Sequence, residues 1–170
     1  MKNIVLTAFI ACMLVCVNIF ADLKARETIN VGILIDADSF NIASDKKYSI
    51  RNSKKILHLS PGNINIRILA DKIIAGKYNL ELPVKITPES YILINKVIYR
   101  GTIIVKLSKN RNLNVINELA VEDYLKGVLP KEVGKNWSLE ALKAQAVISR
   151  TYAVKNLNKH ICDGFDVCST

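Results

Sequence analysis

At 170 residues, half of them hydrophobic, the chain is long enough to bury the core of one ordinary domain, and this composition excludes a disordered protein. Basic residues outnumber acidic ones 24 to 15, and the formal charge of +9 favours an anionic partner such as wall polymer, lipid headgroups or nucleic acid. Lys46, Lys47, Arg51, Lys54 and Lys55 cluster early, but no helix-turn-helix, aromatic stacking motif or basic zipper accompanies them; they read as a solvated basic face, and no nucleic-acid role is expected.

Met1-Lys2-Asn3 makes a short positive start, Ile4 to Phe20 is almost wholly apolar, and Ala21 offers a small residue for cleavage. Residues 1–21 therefore read as a signal peptide. Ile19 is bulky for its place two before Ala21, and the run is near the lower length limit for a span, so an uncleaved N-terminal anchor is the alternative. Either one exports the rest of the chain to the cell envelope, with membrane contact only through this segment. Cys12 and Cys16 read as members of the apolar run, because Val15 is a poor residue ahead of a lipidated cysteine.

From Asn30 to Asn117 the pattern is that of strands. Val31–Ile35, Ile64–Ile68, Leu80–Ile86 and Ile103–Leu107 are β-branched runs, several alternating apolar with polar. Turn chemistry separates them at Ser60-Pro61-Gly62-Asn63, Thr87-Pro88-Glu89, Asn95-Lys96 and Lys109-Asn110-Arg111-Asn112. Pro83 inside the third run predicts an edge strand or a bulge there.

The remainder is helical. Val121 to Leu129 closes about two turns, with Glu122 and Asp123 in the first turn where carboxylates suit the helix dipole. Pro130 biases Leu129 away from helical geometry, which predicts a break holding Glu132. Ser138 is a good N-cap for a second helix, on which Leu142, Ala146, Ser149 and Ala153 recur at helical spacing. Strands first and helices second make an α+β fold, a β-rich N-terminal region followed by a two-helix catalytic segment.

The segment from Glu122-Asp123-Tyr124-Leu125 through Gly127-Val128, Glu132 and Leu139-Glu140-Ala141-Leu142-Lys143-Ala144-Gln145-Ala146 to Ser149-Arg150-Thr151-Tyr152 closely resembles the signature of the SpoIID/LytB family, the stage II sporulation protein D and amidase-enhancer-like proteins. Tyr99-Arg100-Gly101 and Val115-Ile116-Asn117 also fit the pattern, and the likeness is taken to span residues 29–170. The resemblance implies a lytic transglycosylase acting on peptidoglycan glycan strands stripped of stem peptides, with Glu132 as its catalytic residue. It implies as an alternative a non-catalytic wall-binding protein that enhances a cell-wall amidase. Val133-Gly134 departs from the Met-Pro found after the glutamate in many relatives.

Such an enzyme protonates the glycosidic oxygen and then takes a proton from the C6 hydroxyl of the same muramic acid, closing a 1,6-anhydro ring without water, so one carboxyl can serve both steps. Ordinary glycosidases need two. Donation at neutral pH calls for a desolvated pocket, which Val128, Leu129, Val133 and Trp137 could supply. Trp137 could also stack on a sugar. Gln145, Arg150 and Tyr152 are candidate glycan contacts, and Arg150 could equally tie the two helices together through a carboxylate.

His160, Cys162 and Cys168 form a second constellation in HICDGFDVC. Thiolate and imidazole at close spacing suit structural zinc, which needs four ligands, and a Cys162 to Cys168 disulfide is the competing reading for an exported protein. By the resemblance, a Thr-His-Cys-Gln run following these residues would complete the zinc site, and the domain is expected to be incomplete at its C-terminus; Cys162 stands where the family more often has histidine.

Overall fold

Alternation of apolar and polar side chains sorts the strands into two layers. In the strand Ser39–Ser44, Phe40, Ile42 and Ser44 are buried while their neighbours point outward; in Val84–Pro88, Val84 and Ile86 are buried and Lys85 is exposed. The computed structural model describes residues 28–133 and 137–169; the expected export segment, residues 1–21, lies outside them.

The strands in chain order are β1 Thr28–Ala37, β2 Ser39–Ser44, β3 Tyr48–Arg51, β4 Ile56–Leu59, β5 Gly62–Leu69, β6 Lys72–Ala75, β7 Tyr78–Glu81, β8 Val84–Pro88, β9 Tyr91–Ile94, β10 Val97–Arg100, β11 Thr102–Leu107, β12 Leu113–Ala120 and β13 Val167–Cys168. Helices α1, Val121–Glu132, and α2, Leu139–Lys155, follow β12. The larger sheet has the order β13-β1-β12-β11-β8-β3-β4 and the smaller β10-β9-β2-β5-β6-β7. All pairings are antiparallel except β1 with β13. One core fills the space between the sheets: Phe40, Ile42, Ile66, Ile73, Leu80, Ile92 and Ile94 from the smaller meet Tyr48, Ile50, Val84, Ile86, Ile103, Val105, Leu113 and Val115 from the larger. Fully burying each of these large apolar side chains contributes about 1.5–3 kcal/mol before entropy is counted.

The α+β order matches the one expected from sequence, with two corrections. The apolar run Leu80–Ile86 is not one strand with a bulge: it breaks at Pro83 into β7 and β8, which belong to opposite sheets. Proline lacks the N–H that a continuous ladder would use, so the chain changes layer there. Likewise α1 does not stop before Pro130. It continues to Glu132, with Val133 N–H bonding Leu129 O at 3.1 Å. Pro130 is exposed in the last turn, where the carbonyl it leaves without a helical donor can be served by water.

The helices lie against the β1 end of the larger sheet. Ile29, Val31, Ala153 and Val167 form a second apolar cluster, with Leu119, Val121, Tyr124 and Leu157 packed on it. The segment after α2 is clamped to β1. Asp166, which is buried, accepts from the N–H groups of Asn30 at 2.9 Å and Asn158 at 2.7 Å, and its own N–H donates to Asn30 O at 2.8 Å. Phe165 then covers Ile104 and Ile116 on the outer face of the sheet. Among the described residues no helix is long and apolar enough to cross a membrane.

Candidate active site

Two helices and the carboxylate at the end of the first make the site. β12 runs straight into α1, whose first turn carries Glu122 and Asp123 and whose last residue is Glu132. α2 begins as its sequence predicts, the Ser138 hydroxyl accepting from Ala141 N–H at 3.3 Å. Its buried side consists of Ser149 and Ala153, with Leu142 and Ala146 half-buried.

Between the helices, Ser149 Oγ donates to Glu132 Oε2 at 2.7 Å, and Gln145 Nε2 donates to the same oxygen at 3.0 Å. Gln145 Nε2 also reaches Ser149 Oγ at 3.5 Å. Both bonds fall on Oε2, and among the described residues Oε1 accepts none, so one oxygen is anchored and the other can exchange a proton with a ligand. Tyr124, one turn into α1, lies close enough for its phenol to be pushed up in pKa, first by burial and then by the charges of Glu132 and Tyr152. Its hydroxyl thus remains a proton-bearing donor near the carboxylate.

The expected site residues fare differently. Glu132 and Gln145 come together, and Tyr152, 54% exposed on α2, borders the same Tyr124. Trp137 is 48% exposed immediately ahead of α2, its ring open to solvent rather than anchored in the core. The desolvated pocket expected around Glu132 is not formed by the described residues: Glu132 is exposed, and Val128, Leu129 and Val133 are only half-buried. The cause is the uninterrupted helix, which carries the carboxylate to an open helix end instead of folding it into a connector. Arg150 is engaged elsewhere, its guanidinium gripping Glu122 through Nη2 at 2.7 and 2.9 Å and Nε at 3.1 Å. Glu122 is therefore an inter-helix tie and not merely a helix-start carboxylate. Ser149 and Tyr124 stand in the sequence signature, but nothing in the sequence alone ties either to the carboxylate. Ser149 follows Gln145 by four residues and so shares its helix face, which is the signal that could have singled it out.

Cys162 and Cys168 are free, exposed thiols, not a disulfide, and the His160 ring stacks on Phe165 with centroids 5.0 Å apart. Among the described residues no group of three His, Cys, Asp or Glu side chains is gathered where an ion could be held. These donors alone do not supply the four ligands of a structural zinc site.

The SpoIID family, described as stage II sporulation protein, matches residues 109–170. The chain is 49% identical over 70 residues to an uncharacterised protein of Brachyspira hyodysenteriae, covering 39% of this chain and 19% of that one. It is 38% identical over 104 residues to the amidase enhancer of Bacillus subtilis, covering 54% of this chain and 15% of the relative, and 36% identical over 66 residues to an uncharacterised protein of Chlamydia muridarum, covering 39% and 23%. No solved structure matches. The match to the SpoIID family lies in residues 109–170, and the chain spans between 15 and 23% of the length of the curated relatives it matches.

Proposed function

We propose that this protein acts outside the cytoplasmic membrane on peptidoglycan, as a lytic transglycosylase that cleaves peptide-free glycan between MurNAc and GlcNAc. The observation that carries this reading is the Glu132 carboxylate, fixed through Oε2 by Ser149 and Gln145 and open at Oε1. With the glycan lying over Glu132 and displacing water from it, protonated Oε1 delivers its proton to the glycosidic oxygen as the bond from C1 breaks, so that the departing GlcNAc leaves as an alcohol. The C6 oxygen of the same muramic acid then bonds to C1, and its hydroxyl proton returns to Glu132. Positioning supplies much of the rate in such a scheme, which is what two donors on one oxygen provide. Trp137, ahead of α2, and Tyr152, in its last turn, are both exposed and offer rings for sugar faces. Export is supported by Lys2 and the apolar run to Phe20.

The test is Glu132→Gln in the full chain, assayed on peptide-free glycan by mass spectrometry of the released sugars. The variant is expected to fold and to release no 1,6-anhydro product. Undiminished anhydro product would remove Glu132 from the chemistry. A second reading, a non-catalytic wall-binding protein that enhances an amidase, is favoured by the similarity to the Bacillus subtilis amidase enhancer and by the exposure of Glu132. It predicts that the parent chain releases no anhydro sugar yet increases the rate of a wall amidase, and that Glu132→Gln leaves this enhancement intact.

A further inference from the structure

On the outer face of the larger sheet, away from the sandwich core, a cavity of about 420 Å³ is lined by Arg51, Lys85, Lys106, Glu118, Asn30 and Asn52, with Ile104 and Pro83 as its apolar parts. That volume is within the range of roughly 300–1,000 Å³ typical of small-ligand sites. Strand register explains why the charges meet. Arg51 on β3 is directly opposite Lys85 on β8, and Lys85 is directly opposite Ile104 on β11. Directly paired residues share a face, so two cations stand side by side on neighbouring strands, an arrangement that is unfavourable unless an anion joins them. Glu118 answers only Lys85, at 3.3 Å. Among the described residues neither Arg51 nor Lys106 has an acidic partner, and the Lys106 ammonium lies along the rim made by Gly164.

A second, independent feature points the same way. Asn30 lines the cavity, and its Oδ1 is shut from solvent without a hydrogen-bond partner among the described residues. Buried polar atoms are normally satisfied. A hydroxyl or amide N–H of a ligand would answer it after rotation of the carboxamide. Oxyanion partners for two cations and hydroxyl or amide donors together describe a sugar bearing an acid group.

We propose that this cavity is a binding site for an anionic saccharide, with Arg51 and Lys106 as the partners of its carboxylate, separate from Glu132. The choice of a carboxylated glycan rests on the reading of the protein as one that acts on wall glycan, since the lactyl groups of peptide-free MurNAc are carboxylates. Arg51 can take such a group through two parallel hydrogen bonds. The site would hold a strand that the hairpin addresses elsewhere.

Equilibrium binding of the full chain is measured to peptide-free glycan, to the same glycan with its carboxylates reduced to alcohols, and to a polyol phosphate polymer. Reduction of the carboxylates is expected to weaken binding roughly tenfold, the scale of one charge-assisted hydrogen bond. Arg51→Gln/Lys106→Gln should weaken binding of the intact glycan as much and bind the two glycans equally, because the partners lost are the same. Lys46→Gln/Lys47→Gln, which alters charge outside the cavity, should bind like the parent. A double variant that still discriminates the reduced glycan, or a Lys46/Lys47 variant as weakened as the Arg51/Lys106 one, overturns the site. Preferential binding of the phosphate polymer overturns the carboxylate assignment. A parent that binds in this pattern but releases no anhydro sugar removes the transglycosylase reading and leaves the site standing.

Discussion

Ser149, only 5% exposed on α2, donates its hydroxyl at 2.7 Å to Glu132, the exposed last residue of α1. A buried group with little freedom thus fixes an open one, and the pair joins residues 17 apart in sequence. Ser149→Ala is expected to lower the rate of anhydro-product release about tenfold, with KM for glycan little changed, while the melting temperature falls by no more than a few degrees, as for loss of one hydrogen bond. Steady-state kinetics with thermal unfolding check this. A variant with parental kinetics would show that Gln145 alone positions the carboxylate.

The Arg150–Glu122 pair links the same two helices further from the carboxylate. Both side chains are substantially exposed, 44% and 64%, so its contribution is discounted to roughly 0.2–1 kcal/mol despite the bidentate geometry. A double-mutant cycle of Arg150→Gln and Glu122→Gln, measured by denaturant unfolding, is expected to return a coupling in that range that shrinks in high salt. Arg150→Lys should retain less than half of it, because an ammonium cannot form the two-pronged contact.

Gly101 joins β10 in one sheet to β11 in the other at a φ of +84°. A Cβ there would collide with the carbonyl oxygen of Glu118, besides lying 2.9 Å from Leu119 Cβ. Gly101→Ala therefore combines a left-handed backbone penalty with a clash against a central strand, and is expected to cost more than about 2 kcal/mol. Gly127, in α1, has open space around its Cβ position. Gly127→Ala should stabilise the helix by about 0.5–1 kcal/mol. Paired urea titrations decide both.

Burial raises the phenol pKa of Tyr48, Tyr99 and Tyr124 above their ordinary value of 10.0, and for Tyr124 the charges of Glu132 and Tyr152 add to it. The unfolded chain then releases these protons first as pH rises. Native stability from the three groups is fully present below about pH 10 and declines as pH climbs from there through the raised values. Thermal midpoints are expected to be flat up to about pH 9.5 and to fall beyond it. Tyr124→Phe should flatten part of that fall, and phenolate absorbance should show fewer tyrosines titrating near pH 10 in the native protein than in urea.

Much of this protein was legible in one dimension. Alternation in β5, the Asn95-Lys96 turn with both residues at positive φ, and the Ser138 cap are local events, dictated by side-chain size and backbone preference over a few residues. The signature from Glu122 to Tyr152 likewise marked the candidate site. What only the tertiary structure decided are outcomes of competition between distant parts. Pro83 split one apolar run between two sheets, whereas Pro130 failed to end a helix, because its last turn faces water and α2 supplies partners for Glu132. The roles of Ser149 and Glu122 depend on which face of α2 meets α1, and the meeting of Arg51, Lys85 and Lys106 depends on the register of strands far apart in the chain. Local preferences choose the elements; long-range burial chooses their neighbours, and with them the chemistry that each side chain can perform.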